Sequence, residues 1–267
     1  MPGEQTRYHQ RDTVRISTIS NQEASARYPA RNQIKTIDEE TRAAAKVIAE
    51  VQIDSPSSDV ILTANGYKKK AALKNALVNI DYDNTKAVLK FMLKDGAYLY
   101  KAVCQQEIVG AVVIVRLPGE FSLHPSSSGT PAPQGLPFPP IHDLKAVKAY
   151  ARCKDVDDDF SYQLRGLLNS RLRYHGVGQL WEFSFLSVKE GFRHQNIGRT
   201  LVQHALSKVP SRDTVVILAE PGTEAMYQHL GFNYAVSASN TLQAVRVRPE
   251  WVAQGHDWIF HIMVLQK

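Results

Sequence analysis

Leu186-Ser-Val-Lys-Glu-Gly-Phe-Arg-His-Gln-Asn-Ile-Gly-Arg-Thr-Leu201 is the stretch on which the reading of this chain turns. It closes an aromatic and β-branched run that starts at Trp181, so a strand is predicted over Trp181 to Val188. Apolar residues then recur at Ile197, Leu201, Ala205 and Val209, the spacing of a helix over Ile197 to Lys208. The loop between them carries Arg193, Gln195, Asn196 and Gly198. A helix's first turn has N–H groups without intrahelical partners and the positive end of the dipole, so a phosphate can dock there. Gly198 lets the backbone come close, and Asn196 tolerates a left-handed conformation. No Lys-Ser/Thr follows the glycine as in a P-loop, and the three-glycine dinucleotide fingerprint is absent. These residues alone leave a phosphate loop and a plain surface helix start equally open.

The chain continues with a buried strand at Thr214 to Ala219, a short helix at Thr223 to Leu230, strand from Phe232, and a last strand at Trp258 to Leu265. Upstream, Ala97 to Val103 and Ile108 to Val115 read as a hairpin joined by Cys104-Gln-Gln-Glu107. Earlier still, Gln33 to Ile37 reads as a short strand. Asp38 is placed to cap a helix over Thr41 to Val51, and Asp54-Ser-Pro-Ser-Ser58 reads as a breaker. Helical patterns follow at about Lys68 to Val78 and Asn84 to Lys94. Seven of the 13 prolines fall between Leu117 and Ile141, which marks a loop excursion. Helical material resumes at about Asp143 to Arg152 and Phe160 to Arg173. Alternating helix and strand give an α/β or α+β class with a mixed sheet.

Composition narrows the functional classes. Of 267 residues, 43% are hydrophobic and 22% charged, which excludes a wholly disordered chain. No apolar run is long enough for a membrane span, and the N-terminal residues have no signal-type apolar core. The expected setting is cytoplasmic or nuclear, with 1–32 as a flexible tail. Cys104 and Cys153 form no disulfide framework or metal spacing and read as two buried thiols, so no metal is expected. A net charge of +6 favours polyanions mildly. Lys68-Lys-Lys70 lacks interleaved aromatics and reads as a solvated face rather than a nucleic-acid contact.

A second segment, Glu224-Ala-Met-Tyr-Gln-His-Leu-Gly-Phe232, is a short helix closed by glycine and followed by strand. With the first stretch, it makes the chain resemble the GCN5-related N-acetyltransferase (GNAT) superfamily. That family's cofactor motif has the form Arg/Gln-x-x-Gly-x-Gly/Ala after a strand ending Leu-x-Val. Here it reads Arg193-His-Gln-Asn196-Ile-Gly198 after Leu186-Ser-Val188. The later motif reads Ala225-Met-Tyr227-Gln-His-Leu-Gly231-Phe232. Asn196 stands in place of the usual first glycine, and Pro221-Gly-Thr223 where an asparagine often precedes the last helix. The resemblance implies a GNAT domain over 33–267: a central mixed, mostly antiparallel sheet flanked by helices, with a long insertion at 117–179.

It further implies acetyl-CoA as co-substrate and transfer of its acetyl group to an amine. The pyrophosphate would rest on Arg193, His194, Gln195, Asn196, Ile197 and Gly198, running into Arg199 and Thr200. The pantetheine arm would pair with Leu186, Ser187 and Val188, and the Leu186 N–H would polarise the thioester carbonyl. Tyr227 would return a proton to the leaving thiolate. An amine must lose a proton to attack, and Glu182 is the candidate base, because histone-type members place a glutamate six residues before this valine. Plain alternation puts Glu182, Ser184 and Leu186 on one face, barring a bulge. His194, His204 and His229 read as surface or satisfied helix residues.

Neither cysteine lies near the motifs, so direct transfer in a ternary complex is expected. The acceptor is open between a small-molecule amine, the first choice, and a protein lysine or N-terminus. Asp155, Asp157, Asp158 and Asp159, with Tyr162 or Phe160, are candidates for drawing in a cationic amine, or else a solvated loop. A reading from another class is a GNAT-fold protein that binds acyl-CoA without turnover. It would need the phosphate loop but neither Tyr227 nor Glu182. A homodimer would be unsurprising for the family.

Overall fold

Residues 108–114 are buried without interruption, so the strand they form must be covered on both faces. A computed structural model describes residues 14–19, 31–68, 71–117, 148–150, 179–236, 242–246 and 259–267. The strands are β1 (Arg15–Ile19), β2 (Tyr98–Cys104), β3 (Glu107–Leu117), β4 (Leu180–Val188), β5 (Thr214–Ala219), β6 (Asn233–Tyr234), β7 (Ala244–Arg246) and β8 (Ile259–Gln266). They form one sheet in the order β1-β2-β3-β4-β5-β8-β6, with β7 also paired to β8. Every pairing is antiparallel except β4 with β5.

One face carries α1 (Arg31–Ile53), α2 (Pro56–Ala64) and α3 (Ala71–Lys94). The other carries α4 (Ile197–Leu206) and α5 (Glu224–Gln228). Under α4, a core of Val109, Val112, Ile114, Phe183, Val215 and Ile217 meets Ile197, Leu201 and Ala205 of the helix. Helix and sheet come very close there. A Cβ on Gly110 would lie 3.1 Å from both Leu201 Cδ1 and the Ser187 carbonyl oxygen, so only glycine fits without movement. The mixed sheet flanked by helices is therefore as expected.

Several local readings are corrected. Gln33 to Ile37 is not a strand but part of α1. Asp38 caps nothing; it lies inside α1, ion-paired with Arg42 one turn on and with Lys90 of α3 at 2.6 Å. The break at Asp54–Ser58 is only two residues long. Ser55 caps α2 by accepting the Ser58 N–H at 3.2 Å, and Pro56 occupies the first turn, where its missing N–H costs nothing. The two helices expected at 68–78 and 84–94 are one, α3, because nothing between them interrupts its buried line Leu73, Leu77, Asp81, Thr85, Leu89, Leu93. Within the stretch expected as a tail, Arg15–Ile19 pairs with β2 as an outer strand. The hairpin turn holds Gln105 and Gln106 at φ 48° and 68°, the positive-φ backbone that a two-residue connection needs. Cys104 is buried, as expected. Cys153, the aspartates at 155–159, Phe160, Tyr162 and the helix expected at 160–173 lie outside the described residues. So does most of 117–179, of which residues 148–150 are helical.

Candidate functional site

The site begins with a seam that does not close. β4 and β5 pair only at Leu180↔Thr214, Trp181↔Val215 and Glu182↔Val216. Beyond that, no ladder pair joins residues 183–188 to β5. The paired end is tied down by Asp213, which accepts the Gln179 N–H at 3.0 Å and the buried Trp181 Nε1–H at 2.8 Å. Where pairing stops, the register against β3 slips: Val113 faces Phe185, but Ile114 faces Phe183. Ser184 is therefore the extra residue of a β-bulge, which bends a strand and increases its twist. The bend carries the second half of β4 away from β5.

The bulge corrects the face assignment made from alternation. Leu186, opposite Val112, packs with the α4-side core, as do Trp181 and Phe183. Glu182, opposite Val115 and Val216, lies on the α1 side. Glu182 and Leu186 thus occupy opposite faces. The strand also presents its backbone in a defined sense. The Lys189 N–H donates to the Val109 carbonyl at 2.9 Å. Antiparallel residues alternate between facing the partner strand and facing away, so Leu186 and Val188 turn their N–H and C=O groups from β3 toward the gap.

A cleft of about 750 Å³ fills the gap. Leu186, Val188, Arg193, His194, Asn196, Ile197, Gly198 and Arg199 line it, so eight of the eleven residues proposed for the cofactor meet there. Ser187 is buried on the strand's other face, and Gln195 and Thr200 are exposed but not among the lining residues. His194 and Asn196 both adopt left-handed backbone, φ 61° and 62°. Left-handed residues that alternate with a residue of negative φ, as here around Gln195, can turn successive N–H groups inward as an anion-binding concavity. Asn196 makes no side-chain cap on α4. Its carbonyl instead receives the Thr200 N–H and hydroxyl, both at 2.9 Å. The Arg193 Nε–H donates to the gap-facing Val188 carbonyl at 3.3 Å. A Cβ on Gly198 would meet only Val188 Cγ2 at 3.7 Å and Met226 Sδ at 3.9 Å, across the cleft. Nothing in the protein's own packing demands glycine there.

Glu220, Pro221, Gly222, Thr223, Met226 and His229 form the opposite wall, and Val51 and Ser55 close the α1 side. Pro221, Gly222, Thr223, Met226 and His229 lie in or beside the later sequence motif, whereas Val51 in α1 and Ser55 just after it were not singled out, because they reach the cleft only through tertiary packing. Glu220 had a usable signal, since it directly follows the last residue of a buried strand. Glu224 fixes this wall: its carboxylate accepts the Gly222 N–H at 2.7 Å and faces His261 Nδ1 at 3.2 Å. Burial works to raise its pKa, but hydrogen bonds from its own backbone, His261 and Gly222 outweigh it and hold the carboxyl below the ordinary glutamate value.

Tyr227 is buried beneath the wall, edge-on to Phe232 with centroids 5.8 Å apart. Burial, and secondarily the charge of Glu220, hold its phenol well above the ordinary tyrosine range, so it is a neutral donor at physiological pH. Neither Tyr227 nor Glu182 is among the cleft-lining residues. His204 packs edge-on against Tyr100, and His229 Nδ1 lies 2.5 Å from the Ala225 carbonyl, in keeping with satisfied helix histidines. Among the described residues, no cluster of His, Cys, Asp and Glu could hold a metal, and no helix is long and apolar enough to cross a membrane.

Residues 140–232, which contain both motifs, match the model of the acetyltransferase (GNAT) family. No curated protein matches the chain. Among solved structures, it is similar to the putative arylalkylamine N-acetyltransferase 7 of the yellow fever mosquito, with a TM-score of 0.54 at 13% identity over 96% of this chain and 95% of that one. It also matches arylalkylamine N-acetyltransferase 2 of Aedes aegypti, at 14% identity and TM-score 0.43 over 96% and 99% of the two chains. A PaiA N-acetyltransferase from Thermoplasma acidophilum in complex with coenzyme A matches at 10% and 0.44, again over 96% and 99%. At such identities the likeness concerns the fold. The resemblance to the GNAT superfamily holds in the sequence of the matched segment and in the fold.

Proposed function

We propose that this chain is an acetyl-CoA-dependent N-acetyltransferase that transfers the acetyl group directly to an amine within a ternary complex. The observation that carries the reading is the unzipped seam. It combines gap-facing backbone groups at Leu186 and Val188 with an uncapped helix N-terminus and a left-handed loop at its mouth. Residues 193–199 would hold the pyrophosphate, through backbone N–H groups and the positive end of α4. Leu186 would direct its N–H at the thioester carbonyl, where negative charge develops. Tyr227 would supply the proton to the departing thiolate. Cys104 is sealed in β2, which favours direct attack over an acyl-enzyme. The acceptor is read first as a small-molecule amine, with a protein lysine or N-terminus as the alternative.

Thermal unfolding in the presence of acetyl-CoA tests the reading. A ligand held a hundredfold above its dissociation constant adds about 2.7 kcal/mol to the folded state. The expected result is a clear upward shift with acetyl-CoA, none with ATP, and thiol release when primary amines are added. No shift at millimolar acetyl-CoA overturns the reading. A shift without thiol release from any amine class would instead favour an acyl-CoA-binding protein without turnover.

A further inference from the structure

The acetyltransferase reading needs a base, and Glu182, the carboxylate suggested by sequence, is not among the residues that line the cleft. Glu182 sits at the closed end of the seam, between Val115 and Val216, while the cleft opens beyond Ser184. One carboxylate that does line the cleft is Glu220. In β5, Val216 and Leu218 pack toward the α1 side, and Val215, Ile217 and Ala219 toward α4. Glu220 comes next, at the strand's open end, where alternation turns it to the α1 side. There it shares the cleft with Val51 and Ser55, whereas Tyr227 belongs to the α4-side core. Its backbone is pinned, because its carbonyl accepts both the Thr223 N–H at 2.9 Å and the Thr223 hydroxyl at 2.7 Å.

Resting on the acetyltransferase reading, we propose that Glu220 is the catalytic base and that the amine reaches the thioester from the α1 side past Val51 and Ser55. The incoming ammonium gives one proton to Glu220, which passes it to solvent. The freed nitrogen lone pair forms the N–C bond while the carbonyl π pair moves to oxygen. When the carbonyl re-forms, the C–S bond breaks and its electron pair leaves on sulfur. Tyr227 protonates that sulfur. The nitrogen's second proton leaves through Glu220 to solvent, and one proton taken up from solvent restores the Tyr227 phenol. The sum is an ammonium and an acetyl thioester giving an amide, a free thiol and one proton.

The test pairs two nucleophiles against Glu220→Gln in the full chain: a basic primary amine that the wild type turns over, and hydroxylamine, already largely neutral at pH 7. A base that removes the ammonium proton is worth at least about 100-fold, so the variant should lose that much with the basic amine and under tenfold with hydroxylamine. Its acetyl-CoA-induced thermal shift should equal that of the wild type. Glu220→Asp, which keeps the carboxylate, should recover part of the loss and serves if the glutamine variant does not fold. Equal loss with both nucleophiles, or a nucleophile-dependent loss in Glu182→Gln but not in Glu220→Gln, overturns the proposal and leaves the acetyltransferase reading standing. Failure of the wild type to bind acetyl-CoA or to acetylate any amine overturns both.

Discussion

The two ends of the seam between β4 and β5 are built to opposite rules. At the closed end, three ladder pairs and the two hydrogen bonds to Asp213 satisfy what burial would otherwise strand. At the open end, a few residues along the same strands, backbone groups at Leu186 and Val188 face a gap. Asn196 leaves α4 without a side-chain cap, and Gly198 presents hydrogen where a Cβ would fit. The closed end is held by paired groups, whereas the open end turns backbone groups of β4 into a cleft, with the Val188 carbonyl met, among the described residues, only by the Arg193 side chain. Substitutions at the two ends should therefore fail in different assays.

The sharpest way to break that contrast is Asp213→Ala. It removes two hydrogen bonds and leaves the Gln179 and Trp181 donors without their acceptor, at a cost of about 3 kcal/mol. The urea midpoint should fall by that energy divided by the slope, with the slope unchanged; a variant within 1 kcal/mol of wild type would mean the seam's paired end is held elsewhere. Slightly smaller in energy is Tyr227→Phe. Stability should barely move, because the packing against Phe232 is kept, while kcat drops about 100-fold, or about 2.7 kcal/mol. A rate unchanged across pH would remove Tyr227 from the acid role. Smallest is Gly198→Val. The first added carbon makes only ordinary contacts with Val188 and Met226, and the branches project into the cleft. Folding should hold to within about 1 kcal/mol while acetyl-CoA binding weakens about tenfold, read by calorimetric titration. If stability and binding fell together, the open end would be structural after all.

This division also explains how much was legible in the sequence. Local grammar sufficed for β4, the loop between it and α4, α4 itself and α5, because their periodicity, glycines and left-handed tolerance are written within a few residues of one another. The hairpin of β2 and β3 was legible for the same reason. What was hidden depends on partners distant in the chain. The bulge at Ser184 exists only relative to the register of β3, and without it alternation sent Glu182 and Leu186 to the same face. The placement of Glu220 and of the α1–α2 turn against the cleft follows from where the seam stops pairing, which no window of sequence contains. β1 was missed because Arg15–Ile19 is a short, mostly polar outer strand whose only described pairing is with β2, some 80 residues away.

Ser184 carries one more consequence. Remove it, and Phe183 still packs toward α4, Phe185 toward α1 and Leu186 toward α4, because the remaining residues resume plain alternation against β3. A deletion would leave the hydrophobic pattern intact and take away only the bend. The strand thus stores its curvature as a count of residues rather than as chemistry. Almost any side chain at 184 would preserve the gap, whereas losing one residue there would let β4 run straight and zip the seam shut in a protein that still folds.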